Sequence, residues 1–216
     1  MAFDIHQKVF NRYGELNEKK AMEYQEQLIQ LFEQSPEGQL LLDEGIEPGW
    51  ASMMVEFGMN YLGVTPAQMS ADGLREILFD IFPRKVSAEA DEAPDVIREL
   101  QAFWKFMQRE FHLQNAADCL KVLDDKAVRQ LKREMSDPAN FGIAKSLVMM
   151  GQARGFDMST EEDMQKWVAT YNAEIASGLG PRIPLPGERS ESARKFHDKI
   201  KRKMVRDSQK RNRNKR

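Results

Sequence analysis

Apolar positions along this chain recur at steps of three and four, the period of a helix with one buried face. The clearest stripe is Ile97, Leu100, Trp104, Met107 and Phe111, widened by Val96 and Phe103. Pro94 suits its first turn, where a missing N–H costs nothing, and Asp91, Glu92 and Asp95 complement the positive end of the dipole. A second stripe runs through Leu74, Ile77, Leu78, Ile81 and Phe82, with Pro83 expected to end it. Leu28, Leu31 and Phe32 predict a third helix, and Met164, Trp167, Val168, Tyr171 and Ile175 a late one. Val128, Leu131 and Met135 mark a shorter segment that ends before Asp137-Pro138.

Boundary residues agree with these stripes. Ser35-Pro36 and Thr65-Pro66 pair a cap with a first-turn proline, and Ser159 to Asp163 puts a cap and acids at the start of the late helix. Gly45, Gly63 and Gly178 stand where helices should stop. No stretch alternates in the manner of a half-buried strand, and no period of 20–50 residues repeats. The fold class is therefore all-α: an irregular multi-helix globular domain of about eight to ten helices joined by short loops.

Composition changes this picture only at the edges. In 216 residues, 41% are hydrophobic and 31% charged, enough to bury a core and too apolar for wholesale disorder. No run approaches the roughly 20 apolar residues of a membrane span, and MAFDIHQKVF lacks the basic and apolar blocks of a secretory signal. The single cysteine, Cys119, excludes an internal disulfide framework and fits a reducing compartment, so a cytoplasmic location is expected.

Charge adds a division that the net value of −2 conceals. Residues 189–216 hold thirteen Lys or Arg against Glu191, Asp198 and Asp207, a net of +10. The preceding 188 residues hold 19 bases against 31 acids, a net of −12. The chain thus reads as an acidic helical body (1–178), a Pro/Gly linker (179–188, within GLGPRIPLPGE) and a basic tail (189–216).

Catalytic chemistry is not evident. His6, His112 and His197 are far apart and lack zinc spacing with Cys119, which sits among apolar neighbours as an inert, buried thiol would. The fragment GIAKS (142–146) lacks the glycines and the preceding strand of a phosphate loop, leaving Lys145 as a surface lysine lying along its helix. Arg84 and Lys85 in PRKV read as a solvated turn rather than an anion-binding corner, and Glu76 and Asp80 as surface charges four apart. The acids 161–163 lack a calcium-loop pattern, and most of the thirteen methionines read as core filling. No enzyme, metal or cofactor is expected.

The words FPRKV (82–86), LQAFWKF (100–106), MSDPANFGIAK (135–145), GFDM (155–158) and WVATYN (167–172) carry a likeness. Together, over roughly residues 50–172, the chain resembles a helical region of uncharacterised prokaryotic proteins. In some of those it accompanies a plasmid-type ORF domain or a short zinc motif like that at the SecA C-terminus. This chain has no cysteine-rich zinc motif. The resemblance implies a helical fold and carries over no site residue.

The tail has a period of its own. Ala193, Phe196, Ile200 and Met204 recur at steps of three, four and four, so Ser190 to Asp207 can form a basic amphipathic helix. The cations Arg194, Lys195, Lys199, Lys201, Arg202, Lys203, Arg206, Lys210, Arg211, Arg213, Lys215 and Arg216 are the candidates for nucleic-acid phosphates, RNA or a ribosomal surface in particular. The stripe Phe196, Ile200 and Met204 is the candidate for docking on the acidic body or on a protein partner. An accessory or adaptor protein with an RNA-binding tail is the leading expectation. A helical protein-interaction module with a docked tail is the alternative.

Overall fold

The computed structural model describes residues 3–46 and 48–178. Its helices are α1 (Glu18–Glu33), α2 (Pro36–Asp43), α3 (Trp50–Phe57), α4 (Ala71–Glu76), α5 (Phe82–Lys85), α6 (Ala93–Phe111), α7 (Ala116–Val122), α8 (Asp125–Ser136), α9 (Ile143–Ala153) and α10 (Glu161–Ala176). Two π-helical turns, Gly58–Leu62 and Ile77–Ile81, follow α3 and α4. Among the described residues there is no strand, only an isolated antiparallel bridge between Phe10 and Leu16. The fold is all-α.

The described residues pack as two compact units: those up to Ile81 with Glu89–Arg133, and Phe82–Ala88 with those from Glu134 to Gly178. In the first unit α6 is the central element. It buries Val96, Ile97, Leu100, Phe103, Trp104, Phe106 and Met107, so the expected stripe is present and wider than a single row. Phe111, the last residue of that stripe, is only half-buried at the helix end. Phe103 meets Phe32 of α1 edge-on, with centroids 5.3 Å apart. The inner face of α1 is Ala21, Tyr24, Leu28 and Phe32. Leu31, assigned to that face by its spacing, lies off it and is exposed, because steps of four from Tyr24 outweigh the nearer apolar neighbour.

Caps fall where the sequence places them. Ser35 Oγ accepts the Gly38 amide at 3.1 Å, and Thr160 accepts that of Asp163. Gly45 and Gly178 have positive φ just beyond α2 and α10, and Gly63 closes the first π turn the same way. Pro83 does not end its segment, since helical residues continue to Lys85. The π turn immediately before it winds more widely, which accommodates both the ring and the missing donor. That winding also buries Phe79 together with Ile77, Leu78 and Ile81, more residues than one α-helical face would hold.

The second unit is organised around Trp167 of α10. Its Nε1 donates to the Leu147 carbonyl of α9 at 2.7 Å, and Phe156 and Tyr171 lie against its ring. Gly151 makes room for it: a Cβ there would stand 2.4 Å from Met158 Sδ and 2.8 Å from Trp167 Cδ1. Gly142 donates its N–H to the Arg84 carbonyl at 3.1 Å, and a Cβ would approach that oxygen to 2.5 Å.

Candidate functional site

An open concavity of about 810 Å³ lies along α1 in the first unit. Its construction follows from the period of α1. Asn17 caps the helix, its Oδ1 accepting the Lys20 amide at 3.1 Å. With the inner face spent on the core, the adjacent row of Met22, Glu26, Ile29 and Glu33 becomes one wall. The facing wall comes from Ser52 and Glu56 of α3 and from Met59 and Asn60 of the π turn, with Leu16 at one end. Gln25 ties the two walls together, its Nε2 donating to Ser52 Oγ at 2.9 Å.

The groove has an apolar floor and an acidic rim. Met59 is buried and Ile29 and Leu16 are half-buried, while Met22 is 59% exposed. Glu18, Glu26, Glu33 and Glu56 contribute four carboxylates, and no Lys or Arg is among the lining residues. Chemically this surface can receive an apolar ridge flanked by cations.

Other candidates from the sequence resolve individually. Cys119 is buried, and desolvation pushes its thiol up to about 12, which suits an inert side chain. Lys145 is not the surface lysine its position suggested: it is 2% exposed, with Nζ 4.3 Å from the Phe141 ring centroid. Arg84 and Lys85 do not form a solvated loop either, since they end α5, and Arg84 is half-buried with its carbonyl bonded to Gly142. Glu76 and Asp80 are half-buried. Glu162 and Asp163 pair with Lys166 at 2.8 and 3.3 Å in the first turns of α10, as helix-start acids do. Among the described residues, no three His, Cys, Asp or Glu side chains gather as a metal ion would need. No helix among them is long and apolar enough to cross a membrane.

Spacing did not flag Glu99. This carboxylate is fully buried on α6, and its Oε1 accepts the Ala51 amide at 2.6 Å. α3 has Gly49 before it and no side-chain cap of its own, so Glu99 supplies that acceptor from another helix. Burial raises its pKa above the ordinary 4.5, against the smaller lowering by the amides of Ala51, Trp50 and Gly49. The signal was an acid flanked by Ile97 and Leu100 inside the strongest apolar stripe.

The tail cations Arg194 to Arg216 and the stripe Phe196, Ile200 and Met204 lie outside the described residues. No family model matches the sequence, and no curated protein or solved structure matches it.

Proposed function

We propose that this protein is a non-enzymatic accessory or adaptor protein of the cytoplasm whose basic tail binds RNA. The observation that carries the reading is the division of charge. Thirteen cations against three acids in residues 189–216 make a polycation, and a body of net −12 repels phosphate. Binding is therefore confined to the tail, which tethers RNA beside a helical body free to engage protein.

The test is RNA binding by the full chain and by the chain ending at Gly187, across a salt series. Salt-steep binding that disappears on truncation is the expected result. The slope, about 0.7–0.9 per neutralised phosphate, then counts the cations engaged. Equal and weak binding by both would remove the RNA reading.

A second reading is favoured by the groove on α1. Four carboxylates around Met22, Ile29 and Met59 suit a basic amphipathic helix, which makes the body a protein-interaction module.

A further inference from the structure

We infer that the groove between α1 and α3 docks a helix of a partner protein, one whose apolar ridge is flanked on both sides by Lys or Arg. This rests on the interaction-module reading and deepens it by fixing the partner's chemistry.

The build of the groove selects a helix. Its walls are themselves helical, and α1 contributes its full 16 residues, about 24 Å at 1.5 Å per residue. A partner segment of about four turns fills that length. Among the described residues there is no strand for an extended peptide to pair with, whereas a helix brings its own backbone hydrogen bonds. The walls are also held in advance. Gln25 Nε2 donates to Ser52 Oγ at 2.9 Å, and Glu99 of α6 anchors the first turn of α3 through the Ala51 amide. A groove already formed loses little freedom when a ligand enters it.

Unspent charge selects the sign. Elsewhere in the first unit, Glu37 is matched by Arg109 and Asp118 by Lys121, both at 2.8 Å. Glu18, Glu26, Glu33 and Glu56 of the groove pair with no Lys or Arg among the described residues. Glu26 and Glu33 stand two turns apart on the α1 wall and Glu56 stands on the α3 wall, so a seated helix meets carboxylates on both flanks. Met22, Ile29 and Met59 supply the apolar contact, and the unbranched methionines adapt to the ridge they meet. The same acids repel phosphate, which keeps nucleic acid off this face.

The full chain, with isotopically labelled methionine methyls, tests this against a synthetic helix of about 18 residues. Its ridge is leucine at steps of three and four with one tryptophan, and its flanks are lysine. Two further peptides keep the ridge and carry glutamine or glutamate on the flanks. The lysine peptide should move the methyl signals of Met22 and Met59 and leave that of Met164 on α10 in place. Its affinity at low ionic strength should fall at least about tenfold in the Glu26→Gln, Glu33→Gln, Glu56→Gln triple variant, and the glutamate peptide should move neither signal. If the lysine peptide moves other methionines and not these two, the seat lies elsewhere and the inference is overturned. If the glutamine or glutamate peptide binds as tightly and moves the same two methyls, the demand for cations fails while the interaction-module reading stands. If none of the three peptides moves either methyl, that reading falls with the inference.

Discussion

The two units use the same helical period to different ends. In the first, several helices turn their stripes inward on one another, and Tyr24, Leu28, Phe32, Phe103 and Trp104 are wholly buried. In the second, the stripe of α10 buries only Trp167, while Met164 and Ile175 are 41% and 38% exposed. Periodicity thus identifies which face is apolar and does not say how much of it is covered. A stripe becomes core only where enough other stripes meet it. The first unit should therefore resist local opening, and the second should depend on one ring and the glycine beneath it.

The largest expected effect lies in the first unit. Phe103→Ala removes a ring that touches Phe32, Trp104 and Phe106, and should cost about 3–5 kcal/mol, seen as a lowered denaturation midpoint across α1, α2 and α6 together. A loss confined to one helix would show that this core is not cooperative. Next comes Gly151→Ala, whose new methyl collides with Met158 and Trp167. It should cost about 1–3 kcal/mol, read as changed Trp167 fluorescence and faster exchange in α9 and α10. Unchanged exchange there would mean that the second unit yields more easily than its packing implies.

Glu99 sharpens the comparison through pH. Its folded pKa is raised, so between the ordinary 4.5 and that raised value the folded chain holds more protons than the unfolded one. Stability contributed by this group is then full below the unfolded pKa and falls as pH rises through the window to the folded pKa. Glu99→Gln keeps an acceptor for the Ala51 amide and removes the ionisation, so its stability should lose that downward slope and match or exceed the parent near neutrality. Glu99→Ala, which strands the amide, should be less stable at every pH by about 1–3 kcal/mol. Urea midpoints measured from acid to neutral pH decide both. The smallest effect should come from Lys166→Ala. Its pairs with Glu162 and Asp163 are exposed, so the change should stay within about 0.5 kcal/mol in thermal melts.

Much of the architecture was legible without coordinates, because caps, prolines and stripes are local rules. Ser35 with Pro36, Thr160 before its acids, and Gly45 and Gly178 at positive φ all stand as their chemistry requires. The failures share a cause. Leu31 satisfied the spacing but lost its face to Ala21 and Tyr24, and Pro83 was passed because a π turn precedes it. Each depended on winding or rotation that the local rule takes as ideal.

The candidate site was the least legible part, since a groove is made by two elements at once. Met22, Glu26, Ile29 and Glu33 look like an ordinary mixed row until α3 and its π turn stand opposite them. Glu99 was hidden for the same reason: its partner is an amide 48 residues away in sequence. By itself the sequence determined the helices, their ends and the division of charge, all consequences of neighbours within about one turn or of simple counting. Only the tertiary structure decided which apolar rows became core, which acid became a cap and which face stayed open, because burial depends on what packs opposite.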